Sequence, residues 1–398
     1  MATLVYLDYS KEAPFEPLDF QGWRCRAAAD EEALLAQIED RSVDLLFLRV
    51  EGDNLDVLAF ARRIARVRPD LVRVIISFAP SARYLTEASE VVEAALPARC
   101  DEAQVVNAIE RAQQVKDRVF ARKFDTVASF LGQVAPLPSQ IEGLDALIDQ
   151  RLSDSAAPVA PLFKGHLGYM KAVMALANNP LFGAKNFLFS LTDAVKLVGL
   201  RGFRDLCILA YVQDAFPQPE TFDGFSFQAQ FERSLVCGKL AEQIARTVGS
   251  DRVNTSNACA AGFFLDIGMR ALVQLDPQRY FHVMERAAVL KQPIYAIEKL
   301  EYNVTQAEVA AHILTHWGIS PRTVRAVLYH HVPQASLDNA YTSLTAVHVA
   351  DAMLQGVKNR AGCSTAGRLS VDYLDQIGEL DRRAQWEGLA AQLSAQLK

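Results

Sequence analysis

The feature that most constrains this chain is a change of hydrophobic rhythm near residue 120. Before it, short apolar runs alternate with helix-like segments. Thr3–Tyr9, Trp23–Ala27, Val43–Val50, Val72–Phe78 and Val91–Leu96 read as strands, and Glu31–Ile38, Asp56–Val67 and Asp101–Val119 read as helices. VDLLFLRV (Val43–Val50) is almost continuously apolar, as a strand covered on both faces must be. Strand and helix taking turns predict a parallel sheet wrapped by helices. After residue 120 the strand signals stop. Helical patterns then run to the C-terminus, broken at Val134–Gln140, Asn178–Pro180, Phe216–Phe225, Gly318–Pro321 and His331–Gln334. The expected architecture is α/β plus all-α. Residues 1–118 form the first domain, 119–130 a connecting helix and 131–398 the helical domain.

Composition sets the outer limits. With 398 residues, 51% of them hydrophobic, the chain can bury a large core. Forty-one basic against 47 acidic residues give a net charge of −6, which argues against a direct nucleic-acid partner. The N-terminus lacks the features of a secretory signal, and the reading includes no membrane span. Cys25, Cys100, Cys207, Cys237, Cys259 and Cys363 form no C-x-x-C pair and read as thiols of a reducing compartment. A cytoplasmic location is the expectation.

The first domain resembles a response-regulator receiver. That resemblance implies paired acids after the first strand, a phosphoacceptor aspartate ending the third, a hydroxyl after the fourth and a lysine after the fifth. Here the acid pair reads Asp8–Tyr9, Arg49 stands at the phosphoacceptor position, Ser77 matches the hydroxyl, and LPARC (Leu96–Cys100) shows no lysine. Arginine accepts no phosphoryl group by this chemistry, and its charge opposes Mg²⁺. A phosphorylation-incompetent pseudo-receiver is expected, with Arg49 paired to Asp8. Pro14 and Pro17 predict a short or distorted first helix.

The second domain resembles the HDOD family, a non-catalytic relative of the HD phosphohydrolases. The motifs run in order: Pro136–Pro138, Met174–Gly183 (MALANNPLFG), Leu191–Gly199 (LTDAVKLVG), Ala261–Gly268 (AGFFLDIG), His330–Pro333 (HHVP) and His348–Asp351 (HVAD). The resemblance places the former metal ligands at Arg233, Asp266, Gln306, His330, His331 and Asp351. Arg233, Leu265 and Gln306 stand where histidines are expected, so neutral nitrogen ligands are lost and a cation is gained. No metal, cofactor or catalytic residue is expected.

Weaker signals have plain readings beside sharper ones. His312 and His316 share a helix face at metal-ligand spacing, but Ile313 replaces the glutamate of a zinc motif, and core histidines explain them. His348 and Asp351 read as a hydrogen-bonded remnant in the core. Arg41–Asp44 fits the R-x-x-D pattern of cyclic-dinucleotide sites. Arg62, Arg63, Arg66 and Arg68 read as a solvated face, with docking of an acidic partner as the sharper reading.

The reading is a non-enzymatic bacterial signal-transduction protein that acts through protein partners. A pathway linked to cyclic di-GMP, motility or biofilm control is what the resemblance implies. A homodimer is carried as an alternative assembly. Two functional alternatives stand beside it. One is a cyclic-dinucleotide effector in which Arg233 contacts phosphate; the other is a residual metal-dependent phosphohydrolase using Asp266, His330, His331 and Asp351.

Overall fold

The computed structural model describes residues 2–9, 23–120, 127, 136–150, 158–222, 224–360 and 362–395. Two compact units emerge. The first holds residues 1–122 with 311–325, and the second holds 123–310 with 326–398.

In the first unit, β1 (Ala2–Asp8), β2 (Trp23–Ala28), β3 (Val43–Glu51), β4 (Val72–Phe78) and β5 (Ala94–Pro97) form one parallel sheet in the order β2-β1-β3-β4-β5. The apolar run of β3 serves both faces. Leu46, Leu48 and Val50 enter the core shared with α1 (Glu31–Ile38), α2 (Leu55–Val67) and α3 (Ala82–Ala88). Leu45 and Phe47 enter the opposite core, packed by α4 (Glu102–Val119). Period-two alternation within a wholly apolar strand feeds two layers at once.

Two boundaries depart from expectation. The short helix α3 was not legible because ARYLTEA carries little apolar periodicity; Ser81 caps it by accepting from the Tyr84 N–H. The fifth strand begins at Ala94 rather than Val91, because the N–H groups of Val91 and Val92 both donate to Ala88 O and close that helix. α4 starts with a capping box between Asp101 and Gln104 and ends at Val119. Most of the expected 119–130 connecting helix, and Pro14 and Pro17, lie outside the described residues.

The second unit is helical, with only an isolated bridge between Lys358 and Ser364 among its described residues. The helices Phe227–Thr247 and Arg252–Phe264 pack so closely that a Cβ on Gly262 would lie 2.5 Å from Gly238 Cα. One stretch, Arg252–Leu275, is long and apolar enough to cross a bilayer, although no such run was expected. It is broken at Leu265–Asp266, and 83% of its apolar window is buried in this fold.

Candidate functional site

The Phe227–Thr247 helix opens at Ser226, whose hydroxyl accepts from the Ala229 N–H. Helical periodicity turns Gln230, Arg233, Ser234 and Cys237 to one buried face. From that face Arg233 Nη2 donates to Asp351 Oδ1 at 2.8 Å and to Asp351 O at 2.9 Å, while Nε donates to Gln355 O at 3.0 Å. Both side chains are at most 6% exposed. Burial pushes the Asp351 carboxyl up, but the Arg233 guanidinium beside it holds it below the usual carboxylate range. Burial likewise opposes the Arg233 charge, and the groups around it, Asp351 first, together more than offset that and raise its pKa. The result is a desolvated, hydrogen-bonded ion pair.

His330 and His331 follow the Pro321–Tyr329 helix, with ring centroids 3.8 Å apart. His330 Nδ1 lies 2.6 Å from Val327 O and donates to it. His331 stacks on Tyr295 at 4.8 Å, and its Nδ1 lies 3.8 Å from Asp351 Oδ2. Burial first, then the His330 ring, drive His331 well below the usual imidazole range, so it is neutral. Gln306 Nε2 sits 3.3 Å from His331 Nε2, while the buried Gln306 Oε1 lacks a partner among the described residues. Turning that amide over lets the oxygen accept the imidazole proton. Asp266, at the break after Phe264, accepts from the Ser234 hydroxyl.

The fold therefore gathers Arg233 with Asp351, and Gln306 with His331, and places His330 beside them. His348 is different. It was expected to bond Asp351, but its Nδ1 donates to His330 O at 2.7 Å and its Nε2 accepts from Ser370 N at 2.9 Å. The two residues share a helix face, yet each is captured by a different neighbour. That proton placement fixes one neutral tautomer, and burial depresses the His348 pKa.

Residues the sequence reading did not single out complete the site. Thr365 donates to Gln230 Oε1 at 2.9 Å. Gly367 lies so close that a Cβ there would stand 2.1 Å from Asp351 Oδ2. Ser234 had a signal, since it neighbours Arg233 on a predicted helix; Tyr295, Thr365 and Gly367 had none.

His330, His331 and Asp351 offer ligand atoms within 4.8 Å of one another, a spacing that suits a metal ion. The donor set does not. Asp351 Oδ1 already binds a guanidinium, Gln306 sets an amide rather than an imidazole against His331, and a permanent cation stands beside the carboxylate. These residues fit Arg233, not a catalytic metal.

In the first unit Asp8 and Arg49 are register partners on β1 and β3, and Arg49 Nη1 donates to Asp8 Oδ2 at 2.9 Å. The guanidinium also covers the Phe78 ring at 4.4 Å. The Ser77 hydroxyl donates to Gly52 O at 2.8 Å. Arg41 and Asp44 form no joint ligand site: Arg41 reaches Asp70 at 3.3 Å, and Asp44 holds Lys116 at 2.8 Å. Arg68 is not part of a solvated face. It is 2% exposed, because its guanidinium donates to Ile38 O and Val43 O, at the two ends of the loop leaving α1, and to Asp70, after α2. His316 Nδ1 donates to His312 O at 2.9 Å, and no third ligand joins the pair among the described residues.

The HDOD domain family matches residues 135–333, half of the chain, and the protein belongs to that family. The matched span includes Arg233, Asp266, Gln306, His330 and His331, while Asp351 lies beyond it. An HDOD domain protein of unknown function from Geobacter sulfurreducens shares the fold. It has a TM-score of 0.52 at 21% identity, over 69% of this chain and 94% of that one. The MmoQ response regulator of Methylococcus capsulatus aligns at 18% identity over 64% of this chain and 98% of that one, with a TM-score of 0.32. An uncharacterized protein of Treponema pallidum is 22% identical over 209 residues, which are 52% of this chain. The match spans 39% of that relative's own length.

Proposed function

We infer that this HDOD protein works in signal transduction without catalysing a reaction, its helical unit serving as a docking module for partner proteins. One observation carries the reading: the Arg233 guanidinium occupies the Asp351 carboxylate at 2.8 Å, where a hydrolase would need a divalent metal. A site whose acid is neutralised by its own chain has lost the Lewis acid that activates water. What remains is a buried polar cluster that ties together the helices carrying Arg233 and Asp351, with Gln306 against His331. The Arg49–Asp8 pair supports the same reading for the receiver-like unit. A guanidinium at the phosphoacceptor position, salt-bridged to the remaining acid, makes that unit a fixed platform rather than a phosphorylated switch. The cyclic-dinucleotide alternative gains little support, since Nε and Nη2 of Arg233 are committed to Gln355 and Asp351.

The test is to purify the protein without chelators, measure bound metal by mass spectrometry, and assay hydrolysis of cyclic di-GMP and of a bis-aryl phosphodiester. Metal well below one per chain and no turnover is the expected result. Near-stoichiometric zinc, iron or manganese, with turnover of about 1–10³ s⁻¹ that is lost in Asp266→Ala, would overturn it.

A further inference from the structure

Residues 158–192 contain three lysines and no aspartate or glutamate, in a chain of net charge −6. Lys164, Lys171 and Lys185 are all exposed. The same stretch carries three of the most exposed large apolar side chains of the protein: Leu167 at 64%, Phe187 at 66% and Phe189 at 87%. The two phenylalanine rings meet edge to face with centroids 5.0 Å apart.

This display is held in place. Asn178, which follows the Leu167–Ala177 helix, accepts from Leu188 N at 2.7 Å and donates to Leu188 O at 3.1 Å. Its amide thus pins the residue between the two rings, and Leu188 is half-buried while both neighbours project outward. Asn178 belongs to the MALANNPLFG motif, so that motif supports a surface loop as well as a helix end.

We propose that this patch seats the protein on an anionic lipid surface. Both backbone groups of Leu188 are taken, so at that residue the loop offers a peptide no sheet edge to extend. What it does offer is a protruding apolar pair, Phe187 and Phe189, with the exposed Lys185 two residues before it. Acidic headgroups over acyl chains match both: the rings enter the boundary, and the lysine stems keep their ammonium groups at headgroup level. A second copy matches worse, because a two-fold contact would set the same lysines against each other.

The full-length protein is floated with vesicles of pure phosphatidylcholine and with vesicles containing about one-third phosphatidylglycerol. Binding to the anionic vesicles alone, weakened by salt, is expected. Phe187→Ser with Phe189→Ser should reduce the bound fraction about tenfold, and Lys171→Glu with Lys185→Glu should reduce it similarly. All four side chains are exposed, so the melting temperature should not move. Absence of binding by the wild type overturns the proposal, as does equal binding by the serine variant. It is also overturned if the vesicles are ignored and the serine substitutions convert a dimer to a monomer in sedimentation, which assigns the rings to a second copy.

Discussion

Arg233 and Asp351 are 118 residues apart in the chain, yet Arg233 Nη2 donates to Asp351 Oδ1 at 2.8 Å inside the helical unit. The bond joins the Phe227–Thr247 helix to the Ser343–Met353 helix, and Arg233 Nε extends it to Gln355. The pair is charged, buried and hydrogen-bonded, so its members stabilise only together. Removing either one leaves an uncompensated charge in the core.

Arg233→Ala should therefore destabilise the protein by about 3–5 kcal/mol in urea unfolding. Asp351→Ala alone should cost a similar amount, whereas the combination Arg233→Met with Asp351→Leu should recover much of the loss. Additive losses in the double variant would show that the two residues act independently.

Metal affinity should appear when nitrogen ligands replace the cation and the amide. Arg233→His combined with Gln306→His should raise bound zinc from well below one per chain towards one, read by mass spectrometry. His330, His331 and Asp351 already stand within 4.8 Å of one another to complete the set. If the double variant binds no more zinc than the wild type, Arg233 is not what excludes the metal.

Stability should depend on pH through Glu298. This fully buried acid accepts from the Tyr280 hydroxyl at 2.5 Å and from Gln306 N at 2.8 Å. Burial dominates those bonds and pushes its pKa up from 4.5 to about 7. The folded state thus keeps a proton that the unfolded chain releases earlier. That contribution is whole below about pH 4.5 and is lost as the pH rises to about 7. Melting temperature should fall across that window, and Glu298→Gln should flatten the profile.

Gly268→Ala should disturb the site without touching a polar side chain. A Cβ there would stand 1.8 Å from Gln306 O and 2.8 Å from Ala310 N, so the Gln306–His316 helix must move away. Overpacking of this kind costs about 1–3 kcal/mol. The shift should also weaken the Gln306–His331 contact, visible as changed imidazole resonances of His331.

The receiver-like unit should ignore phosphodonors. Incubation with acetyl phosphate and Mg²⁺ is expected to leave the intact mass unchanged. Arg49→Ala should cost about 1 kcal/mol, since the pair it breaks is partly exposed. Added mass on the wild type would refute a fixed platform.

Much of this was legible in the chain itself. The continuous apolar run of β3 announced a strand buried on both sides, and Leu46 and Phe47 do face different cores. The same reading placed the α/β unit before the helical one. Less local features were hidden. Arg68 looked like one more surface cation, because only the fold brings Ile38 O and Val43 O within its reach. His348 shares a helix face with Asp351, and nothing local reveals that Ser370 claims its Nε2.

Residue type by itself determined what this site does not offer: arginine, leucine and glutamine supply no imidazole nitrogen to a metal, wherever they lie. The partner each survivor takes was decided by the tertiary structure. A guanidinium can face water, a phosphate or a carboxylate with equal chemical sense. Only the packing of the two helices, with the segment carrying Gly367 close enough to leave it no room for a side chain beside Asp351, buries the pair and commits Arg233 to that carboxylate.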